Sequence, residues 1–354
     1  MRRRAAVLAL VFGVAGAGIS RAEGSSAKPE ATSATALPAG SRLLADVQVP
    51  LTSGYAAGGS LYVPYDHPYG EHTGEVYELA RLDASDGRRL AVRSFADAID
   101  DMVVADGSLW LTTSSGDATT LWRLDPRGLI VRASRPLPSS HYSESITGSL
   151  ALAGGYLWVG AGQLDRVSLR SGRVDRVVAL PDRGPVQIAS DPAARILLAS
   201  FGYEHPTYLA RLDPRTGSLR TRVTVPRSAS QPTFGGIIDG GAWIQNTVGA
   251  TTSTWRVNVT TLASSRALEP RGAAGPIAAR VIGDRLWVTE PLGASNLSYC
   301  ADPFTGSARV RLPALPGDSV LLTTDASNIF YTYVPLNAHV VELDRAPIPP
   351  GCGS

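Results

Sequence analysis

Residues 148–159 read Gly148-Ser149-Leu150-Ala151-Leu152-Ala153-Gly154-Gly155-Tyr156-Leu157-Trp158-Val159. A strand of small and aliphatic residues runs into a Gly-Gly hairpin signal and out again as an apolar-aromatic strand. The same sentence is written six more times. Its aromatic part recurs clearly as Leu109-Trp110-Leu111, Ala242-Trp243-Ile244 and Leu286-Trp287-Val288. Weaker copies are Leu61-Tyr62-Val63, Ile196-Leu197-Leu198 and Ile329-Phe330-Tyr331. Taking 62, 110, 158, 197, 243, 287 and 330 as centres, the separations are 48, 48, 39, 46, 44 and 43 positions. Periods of that length mark four-stranded propeller blades.

The rest of each unit fits. A third strand alternates apolar with polar and ends near Asp, as in Leu79-Ala-Arg-Leu-Asp83, Thr120-Leu-Trp-Arg-Leu-Asp125, Tyr208-Leu-Ala-Arg-Leu-Asp213 and Val340-Val-Glu-Leu-Asp344. A turn follows, Asp213-Pro-Arg-Thr-Gly217 being the clearest, echoed by Asp302-Pro-Phe-Thr-Gly306 and Asp125-Pro-Arg-Gly128. Pro presets φ there and Gly supplies positive φ. An Arg/Val-rich fourth strand closes the unit, commonly at proline. The fold class is therefore all-β, a seven-bladed propeller of four-stranded antiparallel blades over 41–346.

The last unit runs out early. After Asp344 only Arg345 to Ser354 remain, with three prolines that argue against a central strand. The missing strand is found at the other end: Leu43-Leu-Ala-Asp-Val-Gln-Val-Pro50 has the fourth-strand pattern. It is expected to complete the last blade and so to close the ring. An open ring would leave two apolar blade faces bare.

The N-terminus reads as an export signal over 1–22: Arg2-Arg3-Arg4, an apolar run from Ala5 to Ile19, and Ser20-Arg21-Ala22 as a small-x-small site. An uncleaved anchor is the alternative. No cysteine follows the run, which speaks against a lipoprotein anchor. Residues 23–40, rich in Ser, Ala, Thr and Pro, read as a disordered spacer. Localisation is expected to be secreted or extracytoplasmic, in the cell envelope, with no integral membrane segment once the signal is removed. Cys300 and Cys352 are the only cysteines. In an exported chain a disulfide is favoured over two buried thiols, pinning the tail 347–354.

Cleavage after Ala22 removes four arginines and no acid, taking the formal charge from +2 to −2. That balance lacks the basic footprint of a nucleic-acid binder. Lys28 is the only lysine, a bias of composition rather than chemistry. No Gly-x-Ser-x-Gly elbow occurs, and the Gly pairs lie in hairpins instead of between a strand and a helix. Most tryptophans belong to the repeat, so they are not evidence for a cofactor or a sugar platform.

The turns and Leu-Trp-Val strands resemble those of the YVTN/streptogramin-lyase-like group of seven-bladed propellers. The resemblance spans about 41–346 and describes the blade more than any activity. It implies either an exported binding protein or a metal-assisted lyase using His and Glu on one face. No catalytic position of such a lyase matches a residue here.

Chemistry is expected in the loops between second and third strands and between blades, which share the top face. Four of the five histidines fall there: His67 and His72 with Glu71 in blade 1, His141 with Glu144 between blades 2 and 3, and His205 with Glu204 in blade 4. His339 reads as structural. Imidazoles and carboxylates that converge can hold a metal or exchange protons, whereas scattered ones are solvated surface groups. Asp100 and Asp101 open the inner strand of blade 2, where they either bind a cation or keep the channel from sealing hydrophobically. The leading expectation is a monomeric module binding a small-molecule or protein ligand, without nucleic acid. The alternatives are a lyase or hydrolase dependent on a divalent cation, and a structural part of the envelope tethered by the spacer.

Overall fold

The protein is described here by a computed structural model, covering residues 41–47, 54–67, 76–115, 118–137, 148–181, 186–191, 193–202, 207–225, 232–248, 251–268, 277–292, 295–312, 315–316, 320–333 and 341–352. The expected export signal and spacer lie outside these residues. Among the described residues all regular structure is strand, arranged as seven antiparallel sheets.

Blade 1 comprises Tyr55–Ala57, Ser60–His67, Val76–Asp83 and Arg89–Phe95. Blade 2 comprises Ala98–Ala105, Ser108–Ser115, Ala118–Leu124 and Val131–Leu137. Blade 3 follows with Ser149–Ala153, Tyr156–Gly160, Leu164–Val167 and Val174–Val178. Blade 4 has Val186–Ser190, Leu197–Phe201, Thr207–Leu212 and Leu219–Val225. In blade 5 the strands are Thr233–Ile238, Gly241–Val248, Thr251–Asn258 and Ser264–Leu268. Blade 6 has Ala278–Ile282, Arg285–Leu292, Ser295–Ala301 and Ala308–Arg311, the pair Leu315–Pro316 continuing its outer edge. First strands of neighbouring blades touch, so they form the inner wall and fourth strands the rim. Asp106-Gly107 and Asp239-Gly240 carry positive φ at both positions, the geometry a two-residue hairpin needs to match strand twist.

Blade 7 confirms the expected closure. Its inner three strands are Val320–Thr324, Asn328–Tyr333 and Val341–Pro347, and its rim strand is Arg42–Val47. Leu43 pairs with Asp344 and Val47 with Val341, antiparallel. Both ends of the fold are thus zipped into one sheet.

The apolar core lies between blades, in seven separate layers. Trp110 of blade 2 packs on Leu157 and Val159 of blade 3, Trp158 on Ile188 and Ala199 of blade 4, and Trp243 on Leu286 and Val288 of blade 6. One centre read from the sequence needs correcting. In blade 4 the residue in register is Leu198, paired with Arg211, while Leu197 packs back on blade 3. A one-residue offset reverses the face in a strand, and Ile-Leu-Leu offers no aromatic to fix the register.

Register also brings out a second repeat. The residue paired with each central position is Arg81, Arg123, Arg166, Arg211, Arg256, Cys300 and Arg345 in turn. Most of these arginines reach the turn between third and fourth strands of the next blade. Arg81 Nη1 donates to Arg127 O (2.7 Å), Arg123 Nη1 to Arg170 O (3.2 Å) and Arg256 Nε to Pro303 O (3.0 Å). Arg166 Nη1 donates to Arg215 O, and Arg345 Nη1 crosses the seam to Ala84 O (3.2 Å). The turns are shaped to receive them. Asp213 Oδ1 accepts from the N–H groups of Arg215 and Thr216, and Gly217, at φ 70°, lies so close to Trp158 that a Cβ would stand 2.7 Å from the ring.

Blade 7 has no such turn, because its rim strand comes from the far end of the chain. The tail takes that place. Arg285 Nε donates to Cys352 O (2.8 Å), Ile348 N donates to Ser327 O (2.8 Å), and Cys300, standing where the other blades have arginine, forms a disulfide to Cys352. The pairing expected from the sequence is present in the structure, across a separation of 52 residues.

Deleting residues 41–47 is expected to abolish the cooperative melt and drive aggregation; a truncated chain that melts with the wild type by circular dichroism refutes the closure. Replacing Cys300 and Cys352 together by Ser is expected to cost about 4 kcal/mol in urea unfolding, as loop entropy for this span suggests. A midpoint unmoved by the double substitution would show that the tail's hydrogen bonds suffice.

Candidate functional site

The seven inner strands are built mostly from small, aliphatic and hydroxyl residues, which lets the first strands converge on the axis. Their charged residues are three: Asp100 and Asp101 in blade 2 and Arg280 in blade 6. A kink in the pairing of Ala98–Ala105 between Ile99 and Asp101 places both carboxyls side by side, facing blade 3.

Each carboxyl staples blade 2 to blade 3. Asp100 Oδ2 accepts from Ser114 Oγ (2.5 Å) and from Gly148 N (2.9 Å). Asp101 Oδ2 accepts from Leu150 N (2.7 Å), and its Oδ1 from Met102 N (2.8 Å). Asp100 thus holds the chain at Gly148, where it enters the inner strand of blade 3. Glycine is required there, since a Cβ would come within 2.7 Å of Thr112.

Burial pushes the Asp100 carboxyl up to about 7 against the pull of Ser114 and Gly148. Asp101 rises less, to about 6, because the Leu150 and Met102 N–H groups and the charge of Arg280 oppose its burial. Arg280 is itself lowered by burial, with Asp101 opposing, and a guanidinium remains protonated under such a shift. Its Nη1 donates at long range to Leu321 O of blade 7 (3.4 Å). The Arg280 and Asp101 charges thus act on each other across the sector of blades 6, 7, 1 and 2 that holds the seam. Tyr55, on the inner strand of blade 1, is raised by burial and feels both a hydrogen bond from the Val104 backbone and the Asp101 charge.

Of the other residues expected to carry chemistry, His67 closes the second strand of blade 1, its backbone paired with Val76. Glu71, His72, His141, Glu144, Glu204, His205 and His339 lie outside the described residues. Among the described residues no three His, Cys, Asp or Glu side chains gather as a metal site would require, and no helix is long and apolar enough to cross a membrane. Arg280 and Tyr55 escaped the sequence reading. The available signal for Arg280 was a lone charge in the run Gly275-Pro-Ile-Ala-Ala-Arg280-Val-Ile282.

No protein-family model matches this chain, and no curated protein does. Among solved structures, the WD40 domain of Toxoplasma gondii coronin is similar with a TM-score of 0.60 and 13% identity, over 90% of this chain and 89% of that one. The Dos1 propeller aligns over 80% of this chain and 75% of its own, at 14% identity and a TM-score of 0.48. The coronin likeness shows a seven-bladed propeller. At that identity it shows the fold alone.

The site carries a pH signature. A carboxyl whose folded pKa lies above its unfolded value of about 3.9 binds more protons when folded, so its contribution is complete below about pH 4 and is lost as pH rises through the folded value. For Asp100 that window runs from about 4 to 7. Buried Asp165 and Asp344, raised by burial to about 6 and about 7, add to it. The turn residues Asp213 and Asp302, held low by Arg220 and Arg309 respectively, lose their contribution only as pH falls below about 4. Melting temperature is therefore expected to peak near pH 4–5 and decline towards pH 7. In Asp100→Asn, which keeps an acceptor oxygen, the decline should be shallower; an identical pH slope in the two proteins would remove Asp100 from this role.

Proposed function

We propose that this propeller is an extracytoplasmic binding module that takes a small-molecule or protein ligand at the channel mouth and the loops of the top face. The observation that supports the reading best is the junction at Asp100. The paired carboxyls stand on an otherwise almost uncharged inner wall, where Asp100 holds Gly148 and Asp101 holds Leu150 as the chain enters blade 3. Their oxygens are engaged by backbone and hydroxyl donors from two blades, an arrangement that fixes a surface. Proton exchange with a substrate would need those oxygens to be released. Rigid scaffold beneath variable loops is the common design of a recognition site. Propellers often serve as protein-binding modules, which agrees with this reading.

The extracytoplasmic setting is supported by the Cys300–Cys352 disulfide, a bond that persists in oxidising compartments. It agrees with the export signal read over residues 1–22. Within this proposal the YVTN-like character of the turns stands for a kinship of blades.

The proposal is tested by thermal shift of the wild type and a His72→Ala/His141→Ala/His205→Ala variant against panels of small molecules and peptides. A ligand that binds only the folded state raises the melting temperature by mass action. The expected result is a ligand that stabilises the wild type by several degrees and the variant by much less. If every stabilising ligand acts equally on both proteins, the top-face site is wrong.

A further inference from the structure

The rim strands carry charge of nearly one sign. Together the seven fourth strands hold eleven arginines, no glutamate and two aspartates. One of those aspartates, Asp175, is taken by Arg166 of the neighbouring strand (2.7 Å). Over the whole chain acids and bases are nearly equal, 31 against 33. The rim is basic because the acids are placed elsewhere, in the third-to-fourth-strand turns and on the inner wall.

Three of the rim arginines answer the turn acids: Arg132 pairs with Asp125, Arg220 with Asp213 and Arg309 with Asp302. Arg89, Arg93, Arg135, Arg176, Arg222 and Arg311 are exposed and form no ion pair among the described residues. They belong to blades 1, 2, 3, 4 and 6, and Arg42 adds an exposed cation on the closing strand of blade 7. Charge on an edge strand, cationic above all, discourages pairing with another sheet, yet four of the seven rim strands carry two arginines each. Eleven cations against two anions calls for a partner of opposite charge.

We infer that the rim is a binding surface for a flexible linear polyanion, a chain bearing sulfate or phosphate groups that follows the outer strands from blade to blade. The distribution selects this occupant. A planar anionic membrane touches two or three neighbouring rim strands of a cylinder at once and leaves the others idle, and a stiff nucleic-acid duplex does the same. A flexible chain reaches them all. Exposed guanidiniums suit it, because each offers a planar fork of donors to sulfate or phosphate oxygens.

The test uses the full chain on immobilised heparin, and inorganic polyphosphate in solution titrated at several salt concentrations. Wild type should be retained at low salt, with log affinity falling linearly against log salt by roughly 0.7 per anionic group neutralised. Arg89→Ser/Arg93→Ser, Arg135→Ser/Arg176→Ser and Arg222→Ser/Arg311→Ser should each lower the elution salt and the slope by similar amounts, and further when combined. The corresponding Arg→Lys sets should remain retained, which separates charge from fold, and circular dichroism should be unchanged throughout. The proposal is overturned by absence of retention at low salt, by a loss that traces entirely to one pair, or by tighter binding to anionic vesicles or duplex DNA than to the flexible chains.

Discussion

A blade of this protein cannot bury its own apolar surface. Each four-stranded sheet has two faces, and every layer of core is shared between one blade and the next. Such a stack is stable only when the last face meets the first, so ring closure is the condition on which the rest depends. The zipping of Arg42–Val47 onto Val341–Pro347 meets it by making the final sheet from both ends of the chain. Separation of the chain's ends then requires breaking a strand pair in addition to an inter-blade contact. The closing strand also brings Leu44 into the layer between blades 7 and 1, with Leu61, Val63 and Phe330.

Closure of that kind carries a cost one blade away. In most blades where the chain runs straight from third to fourth strand, the turn between them docks on the preceding blade, a third-strand arginine donating to its carbonyls. Trp158 Nε1 joins Arg166 in this by donating to Pro214 O (3.0 Å), and Tyr62 Oη does the same to Pro126 O (2.9 Å) beside Arg81. A blade whose fourth strand arrives from elsewhere has no turn to offer. The chain resolves this at the single place where it arises: blade 6 exchanges the arginine for Cys300, and the tail of blade 7 supplies Cys352. The disulfide and the terminal strand are consequences of one topological choice.

Much of this was legible in the sequence because it is periodic. Trp110, Trp158, Trp243 and Trp287 set the blades, the pattern of residues 43–50 identified the closing strand, and the lone cysteine pair joined the tail. Periodicity also contained the arginine repeat, since Arg precedes the penultimate apolar residue in Leu79-Ala-Arg81-Leu-Asp83 and Thr120-Leu-Trp-Arg123-Leu-Asp125. Its meaning emerged only with register, which shows that Cys300 occupies the same column. Blade 4 was misread by one residue because Ile196-Leu197-Leu198 has no bulky side chain to declare its face. The channel was the least legible part. Asp101 and Arg280 feel each other's charge only because the ring turns both inner strands to one channel, and no local pattern encodes an influence between residues so far apart in sequence.

The charges sort into radial shells, and physical constraints decide which shell can vary. Turn aspartates are bound to their role by the N–H groups of the turn that follows them and by arginines such as Arg220 and Arg309. Inner-wall charge is costly because it is desolvated, so it is sparse and each carboxyl there is satisfied by several donors. Arg81, Arg123, Arg166, Arg256 and Arg345 are committed to the neighbouring turns. Apart from Arg132, Arg220 and Arg309, which hold turn aspartates, the exposed rim arginines are free of such duties, since solvated side chains there neither pack a layer nor hold a turn. A scaffold divided in this way can change its partners at the top face or along the rim without disturbing the layers between blades. Charge of one sign on the rim is therefore a choice the fold permits and does not demand.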